Sequence, residues 1–283
     1  MSLNTTNSHG IVVPETLGDL VIAAAARASV AMRASTVVTT PTKEYRVPVI
    51  TALPSSAFVA EGQELAAGDP TVDELNIVPA KVGHVAPLSR ELVRDSFAEG
   101  APDIVATAQG IDIAKKVDQA YFGGDNPIAN DGLAILADVQ EVTAGPLVNL
   151  DPFAEAQSLS EDVGGTITSF VASPANALLL SQLKRADGSN EPLLQSGVPD
   201  PTAPITRQIL GSQLLVCPAV DDTVIWAIPQ VHSLVVVRED VETEVSTDVY
   251  FTSDRVAVKT TMRVGWGWPH PGAVVKINVS TGS

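Results

Sequence analysis

Residues 45–95 read YRVPVITALPSSAFVAEGQELAAGDPTVDELNIVPAKVGHVAPLSRELVRD, and this stretch decides the fold. A first limb alternates apolar and polar residues from Tyr45 to Ile50. A second limb runs from Leu75 towards Val85 and is also rich in β-branched residues. The pattern therefore predicts a long projecting arm of two strands that leads into a helix.

Turn-forming residues fill the segment between the two limbs, which suits an exposed tip. They are Pro54, Ser55, Ser56, Gly62, Gly68, Asp69 and Pro70. Pro48, inside the first limb, marks an edge strand. Disorder is the alternative, but the limbs keep strand-like alternation, unlike chains that stay unfolded. A lone two-stranded ribbon is marginally stable in water, so the arm is expected to lie on another surface.

Several motifs resemble the major capsid proteins of tailed bacteriophages, which have the Hong Kong 97 fold. One group of motifs resembles the extended loop of that family running into its spine helix. It consists of Phe58, Val59, Ala60, Glu61, Gly62 and Glu64, followed by Pro87, Leu88, Ser89, Arg90, Glu91 and Leu92. Later motifs follow in the family's order: Asp118 with 121–124, Asp131 with Gly132, Ser173 with Pro174, 183–188, Gly211, and 253–258 with Arg263 and Gly265. Each motif is weak alone, and their order carries the resemblance over roughly residues 40 to 280.

The resemblance implies an α+β capsid fold with an N-terminal arm, an extended β-hairpin loop, a long spine helix with a peripheral β-sheet, and a mixed α/β axial domain. The implied boundaries are 1–34 for the arm, 35–88 for the loop, 89–131 with 233–283 for the peripheral domain, and 132–232 for the axial domain. It further implies a homo-oligomer of hexamers and pentamers in an icosahedral shell that encloses double-stranded DNA. A portal, and scaffolding or decoration proteins, are the other expected partners in the virion.

Charge and hydrophobicity suggest which residues meet at a subunit interface. The acidic residues Glu61, Glu64 and Asp69 at the arm tip are expected to face cations of a neighbouring copy, namely Arg90, Arg94, Arg255 or Arg263. Exposed ion pairs contribute roughly 0 to 1 kcal/mol each, so they should set register. Apolar contact is expected to supply most of the stability, through Phe58, Val59 and Leu65.

The composition favours a structural protein over an enzyme or a nucleic-acid reader. The 283 residues are 45% hydrophobic, which is ample material for one large or two ordinary domains. A net charge of −16 opposes binding to phosphates. The negative charge would keep packed DNA from adhering to the wall of a shell, or it would serve only ordinary solubility. No motif for catalysis, cofactor or metal occurs, and the four histidines are scattered.

Targeting signals are also missing from the sequence. No apolar run is long enough to span a membrane, and residues 1–10 lack the basic and apolar regions of a secretory signal. We therefore expect synthesis in the bacterial host cytoplasm. The single cysteine, Cys217, lies in an apolar run and is expected to be a buried strand residue.

Helix signals occur in the N-terminal half. A short arm helix is expected at Pro14–Ala28. The spine helix is expected to begin near Ser89, to break at Gly100 and Pro102, and to continue from Asp103 to Phe122. Its apolar stripe is expected to comprise Ile104, Ala108, Ile111, Ala114 and Tyr121. The charges expected to face solvent or a neighbour are Lys115, Lys116 and Asp118.

The C-terminal half predicts a mixed α/β region followed by strands. Helices are expected at 152–163 and 175–185, a loop at 187–204, and strands at 169–172, 213–217, 223–227, 234–237, 241–245, 256–262 and 274–279. Trp266 and Trp268 suggest a ligand platform or a packing surface, and a subunit contact is the preferred interpretation.

Two other functions remain open from sequence. An encapsulin, a nanocompartment shell of the same fold, differs mainly in its contents. An α/β hydrolase or binding protein that uses the domain from Gly132 to Gln230 would leave the arm without a partner. Some members of the resembled family join subunits by an isopeptide bond from a lysine of the extended loop. Residues 60–71 contain no lysine, and Lys43 and Lys81 lie too near the arm base to reach a neighbour's Asn278. A noncovalent shell is therefore predicted.

Overall fold

A computed structural model describes residues 28–52, 58–59, 62, 69–89, 101–124, 126–185, 190–194 and 207–280. Most of the predicted helix at Pro14–Ala28 lies outside this part, as does most of the predicted loop 187–204. The same holds for five predicted interface residues, Glu61, Glu64, Leu65, Arg90 and Arg94. No helix within the described ranges combines the length and apolarity that a membrane span requires.

Four helices and twelve strands form the described fold. The helices are α1 Val30–Ala34, α2 Ala101–Phe122, α3 Asp151–Asp162 and α4 Pro174–Gln182. The strands are β1 Thr36–Thr40, β2 Tyr45–Ala52, β3 Thr71–Ile77, β4 Ala80–Ser89, β5 Gln140–Gly145, β6 Ser169–Ala172, β7 Arg207–Ile209, β8 Ser212–Val216, β9 Val224–Ile228, β10 Leu234–Tyr250, β11 Arg255–Gly267 and β12 Val275–Val279. The α+β class expected from sequence is confirmed.

The strands are divided among two sheets and one hairpin. A four-stranded sheet has the order β1-β10-β11-β4, a six-stranded sheet has the order β5-β12-β9-β6-β8-β7, and β2 pairs only with β3. The chain crosses from the six-stranded to the four-stranded sheet after β9, and returns after β11. The four-stranded sheet is thus assembled from segments far apart in sequence.

The structure corrects the predicted second limb of the arm. That limb is two strands: β3 pairs with β2, whereas β4 pairs with β11 along its whole length, from Ala80 opposite Val264 to Ser89 opposite Arg255. Ser89 is consequently the last residue of a strand, and the helix predicted to begin near it and reach Gly100 lies outside the described residues. The second limb was predicted as part of the arm because an alternating segment can complete a distant sheet, and local sequence does not reveal that partner.

The face of helix α2 that lies against the core matches the predicted stripe only in part. Ala114 and Tyr121 are buried as expected. Ala108 and Ile111 are exposed, while Gln109 and Asp118 are buried. Gln109 accepts a hydrogen bond from Thr260 Oγ1 at 2.9 Å. The buried face carries polar groups that bond to the sheet and to α1, so an apolar stripe predicts only part of it.

Four strands of the six-stranded sheet were expected from the sequence, whereas β5 and β7 were not. The strand predicted at 169–172 has the same bounds as β6, and the predicted helices coincide with α3 and α4 to within a few residues. Ser173 caps α4 by accepting a hydrogen bond from the Asn176 amide at 3.2 Å, and Pro174 follows at its first turn. The segments predicted at 234–237 and 241–245 are instead one continuous strand, β10.

The two tryptophans near the end of β11 belong to the interior. Trp266 is 2% exposed and Trp268 is 6% exposed, and both rings pack beside Tyr121 of α2. The predicted subunit contact at these tryptophans is therefore wrong. Their position follows from the closure of β11 over the end of α2, which covers both rings with the chain's own core.

Candidate subunit interface

The hairpin formed by β2 and β3, here called the arm, exposes its apolar side chains. Ile50 lies opposite Val72 in the hairpin register, and the two side chains are 59% and 58% exposed. Phe58 in the connecting segment is fully exposed, and Val59 is partly exposed. Exposure of apolar side chains of this size to water is unfavourable in free energy. The arm is therefore a candidate contact surface for a partner.

Two glycines of β11 receive the base of the arm. Ile77, at the end of β3, is completely buried. A methyl group placed on Gly267 would lie 2.8 Å from Ile77 Cδ1 and 3.1 Å from Leu75 Cδ2, and one on Gly265 would lie 3.1 Å from Pro79 Cα. The absence of side chains at these glycines lets the arm base lie directly on the sheet.

Ion pairs within the arm hold its charged side chains at the surface. Arg46 of β2 contacts Glu44 at 3.2 Å and, across the hairpin, Glu74 at 3.3 Å. These three side chains are largely exposed, so each contact contributes little to stability. Asp69 at the tip-facing end of β3 is exposed and forms no ion pair among the described residues.

A row of three cations crosses the four-stranded sheet near the arm base. Register places Lys81 of β4 opposite Arg263 of β11, and Arg263 opposite Arg238 of β10. Residues directly opposite each other point to the same side, so the three positive side chains share one face of the sheet. We call this set the basic row. Like charges placed opposite one another attract acidic groups to their face.

The basic row shares its face with the glycines that receive the arm. Alternation along β11 places Gly265, Arg263, Lys259 and Arg255 on one side and the core residues Met262, Val264 and Trp266 on the other. Arg255 is exposed, and Lys259 already contacts Glu244 of β10 at 2.8 Å. One face therefore carries the arm base of its own chain and a set of cations farther along the strand.

The structure thus places half of the predicted interface residues. Phe58, Val59 and Asp69 lie on or beside the arm, and Arg255 and Arg263 lie on the sheet face. Sequence reasoning missed Lys81 and Arg238, whose alignment with Arg263 depends on strand register. Only the alternation of Arg255, Lys259 and Arg263 at every fourth residue signalled a charged strand face in the sequence.

Asp118 of α2 accepts hydrogen bonds from the start of α1, a role that was not predicted from the sequence. Its carboxylate accepts hydrogen bonds from Ser29 Oγ at 2.7 Å, the Ala31 amide at 2.9 Å and the Val30 amide at 3.0 Å. Burial raises the pKa of this carboxyl, and the three donors partly oppose that effect. The prediction that Asp118 faces solvent or a neighbour is wrong, because the carboxylate satisfies a helix start inside the chain.

The environment of Cys217 fits a structural residue. It is buried after β8, as predicted, and its sulfur lies 3.8 Å from Asp118 Oδ2. Burial and the nearby carboxylate raise the pKa of the thiol to about 12, which keeps it protonated and unreactive. Within the ranges that the structure describes, no three His, Cys, Asp or Glu residues are grouped to hold a metal ion.

Comparison with known proteins identifies one family across the chain. A model described as "Phage capsid family" matches residues 9–279. No curated protein is similar enough in sequence to match.

Solved structures share the fold. One described as Microbacterium phage Oxtober96 has 20% identity and a TM-score of 0.67, covering 99% of this chain and 96% of that one. Another, described as Mycobacterium phage Bobi, has 18% identity and a TM-score of 0.70, covering 90% and 91%. A third, "Capsid of native GTA particle computed with C5 symmetry", has 15% identity and a TM-score of 0.65, covering 99% and 96%. At these identities the likeness concerns the fold.

Proposed function

Because the chain belongs to the phage capsid family, we propose that its arm lies across a neighbouring copy in the wall of the shell. The protein is a major capsid protein of an icosahedral capsid, and its place is the virion capsid. The single observation that supports the arm's role is that Ile50, Val72 and Phe58 are exposed on a two-stranded hairpin. Such a hairpin gains its stability by burying this surface on another chain.

The finer proposal is that copies assemble as hexamers and pentamers. Contacts around such a ring are heterologous, since the arm of one copy meets a different surface of the next. A heterologous contact gives a finite particle only when the rotation closes. Many modest contacts per copy then make a stable wall, because each additional contact forms within an already tethered pair.

The sheet face with the basic row is the surface that we assign to the neighbour's arm tip. Glu61, Glu64 and Asp69 supply negative charge at the tip, and Lys81, Arg238 and Arg263 supply positive charge on the sheet. Complementary charge sets which residues meet and speeds the encounter. Burial of Phe58, Val59 and Leu65 is expected to contribute most of the stability. Arg90, Arg94 and Arg255 remain alternative partners of the acidic tip.

The remaining parts of the proposal concern contents and partners. We infer that the shell encloses double-stranded DNA, and that the net charge of −16 keeps the wall from adhering to it. A portal and scaffolding or decoration proteins complete the particle, and the chain is made in the host cytoplasm. We propose no catalytic activity, cofactor or metal.

The proposed division of the chain follows the sequence prediction: arm 1–34, loop 35–88, peripheral domain 89–131 with 233–283, and axial domain 132–232. Strands β1 and β4 pair with the peripheral strands β10 and β11 although these boundaries assign them to the loop. The family match does not favour the encapsulin alternative, and an α/β hydrolase or binding protein lacks support from any comparison.

Electron microscopy of the purified full-length protein tests this function. Wild type is expected to form closed shells. A variant in which residues 54–68 are replaced by a Gly-Ser linker should remain folded, as judged by circular dichroism, yet form no closed shells. Shells of normal number from the linker variant would contradict the arm's role, and a wild-type protein that never assembles would contradict the shell.

The basic row needs its own variants. Charge reversal by Arg263→Glu is expected to reduce shell yield severalfold, and a compensating Glu64→Arg change on the same chain should restore part of it. Lys276→Glu is the matched control, because Lys276 lies on β12 in the other sheet, where it contacts Glu141 at 3.3 Å. Equal yields from Arg263→Glu and Lys276→Glu would remove the basic row from the interface.

A further inference from the structure

Two histidines meet where the chain crosses between its two sheets. His232 lies in the segment that leads from β9 to β10, and His270 lies in the segment that leads from β11 to β12. Their ring centroids are 5.4 Å apart, with an angle of 83° between the rings. The two residues are 38 positions apart in sequence, so only the fold brings them together.

The two histidines lie in segments that are hydrogen-bonded to different parts of the fold. The His232 segment is tied to β1: the Thr36 amide donates to the Ser233 carbonyl at 2.8 Å, and Thr36 Oγ1 donates to the Gln230 carbonyl at 2.8 Å. The His270 segment is tied to the end of α3, because His270 Nε2 lies 3.1 Å from the Val163 carbonyl. The pair therefore spans the boundary between the four-stranded sheet and the elements of the six-stranded sheet.

The contact with Val163 settles the tautomer of His270. A carbonyl oxygen only accepts hydrogen bonds, so Nε2 must carry the proton, and Nδ1 of the neutral ring has the free lone pair. Protonation of His270 at Nδ1 preserves the bond to Val163 and adds a charge beside His232. The hydrogen bond thus holds the ring in place while its charge changes.

No acidic partner among the described residues offsets a charge on either ring. The acidic residues closest in sequence on the neighbouring elements are Asp162 at the end of α3 and Asp138 before β5, and neither forms an ion pair with the histidines within the described ranges. Burial, and then the charge of His270, lowers the pKa of His232. Protonating both rings is therefore unfavourable while they remain in contact.

We propose that His232 and His270 form an acid-sensitive joint: when both rings are protonated, their repulsion separates the two connecting segments. The two neutral rings pack against each other edge to face. Because burial, and then the charge of His270, lowers the pKa of His232, the open joint binds more protons than the closed one, and the closed form loses stability as the pH falls below 6.5. This proposal does not depend on shell assembly.

Hydrogen exchange of the full-length protein, measured by mass spectrometry at pH 7.5 and pH 5.0 and corrected for the intrinsic rate, tests the joint. Wild type is expected to lose protection severalfold at pH 5.0 in 229–236 and 268–275, because the separated rings bind protons more readily than the rings in contact. Segment 169–172, within β6, should keep its protection. His232→Gln and His270→Gln should abolish the acid response, and a glutamine at 270 still has an amide donor for Val163.

His84→Gln is the matched control, because His84 lies on β4, 3.6 Å from Asp112 and away from the joint. This variant should keep the full acid response. The proposal is overturned if wild type shows no acid response in the two segments, or if His232→Gln responds like wild type. It is also overturned if 169–172 loses protection in parallel, since that would indicate general acid unfolding. Unchanged protection at pH 7.5 shows that a variant is folded.

Discussion

At the scale of single residues, Asp118 connects three parts of the chain. Asp118 lies on α2, and its carboxylate accepts hydrogen bonds from the first amides of α1. The same carboxylate contacts the sulfur of Cys217, which follows β8. The first amides of a helix have no partner within the helix, so they require acceptors from elsewhere. A buried acceptor with several donors is costly to remove, because each donor left behind has lost its water as well.

Replacement of Asp118 tests this arrangement. Asp118→Ala leaves Ser29 Oγ and two buried amides without an acceptor, and we expect a loss of about 3 kcal/mol in the free energy of unfolding. The measurement is urea unfolding of the unassembled full-length chain. Asp112→Ala on the same helix is the control, since Asp112 is half exposed and its removal should cost less than about 1 kcal/mol. Similar losses from both variants would contradict the anchor.

The pH dependence of stability offers a second test of Asp118. Burial raises the pKa of this carboxyl, so the folded chain binds its proton at higher pH than the unfolded chain does. Lowering the pH towards 3.8, the ordinary pKa of an aspartate, should therefore stabilise wild type relative to Asp118→Asn, which cannot titrate. Urea midpoints of both proteins between pH 7 and pH 4 measure the difference. A constant difference would show that the carboxyl titrates normally.

At the scale of elements, the arm depends on two features, a fixed base and an exposed tip. The base is fixed because Ile77 lies on the bare backbone of β11 at Gly265 and Gly267. Packing at this spot is close, so an added methyl group requires the arm base to shift. The tip and the outer faces of β2 and β3 remain available to a partner, which separates the arm's own folding from its proposed contact.

A methyl group at the arm base should therefore impair assembly. In Gly267→Ala the new carbon would lie 2.8 Å from Ile77 Cδ1 and Cγ1, and we expect the shell yield to fall severalfold while the chain stays folded. Sedimentation of assembly reactions measures the yield. Gly124→Ala is the control, because its added carbon has only an ordinary contact, 3.6 Å from Ile135 Cγ2. Equal yields would show that the base tolerates displacement.

The tip should depend more on apolar burial than on charge. Phe58→Ser removes a large exposed ring that is proposed to be buried in the shell, and this variant is expected to assemble less well than Glu64→Gln. Particle counts in electron micrographs at matched protein concentration give the ranking. If the two variants assemble equally, the apolar contribution of Phe58 has been overestimated.

At the scale of the whole molecule, we predict a shell without covalent crosslinks. Residues 60–71 at the arm tip contain no lysine. Asn278, the asparagine near the closing strands, donates to Glu141 Oε2 within its own chain at 3.0 Å. Denaturing electrophoresis of assembled particles should therefore show the monomer band alone. A ladder of covalent oligomers would contradict this prediction.

Most of the fold could be predicted from local pattern. The strand at 169–172, the helices α3 and α4 and the hairpin of β2 with β3 follow from alternation, capping residues and turn residues. The capsid family was also recognised from the order of short motifs, and the family match confirms it. These features depend on neighbours in the chain, which the sequence presents directly.

Long-range pairing was decided only by the tertiary structure. The alternation of β4 is the same whether it extends the arm or completes a sheet with β11, and the choice depends on a partner about 175 residues away. Likewise, nothing local distinguishes Asp118 from a solvent-facing carboxylate until α1 places its amides there. The basic row and the histidine pair arise in the same way, because register and strand crossings align residues that are remote in the chain.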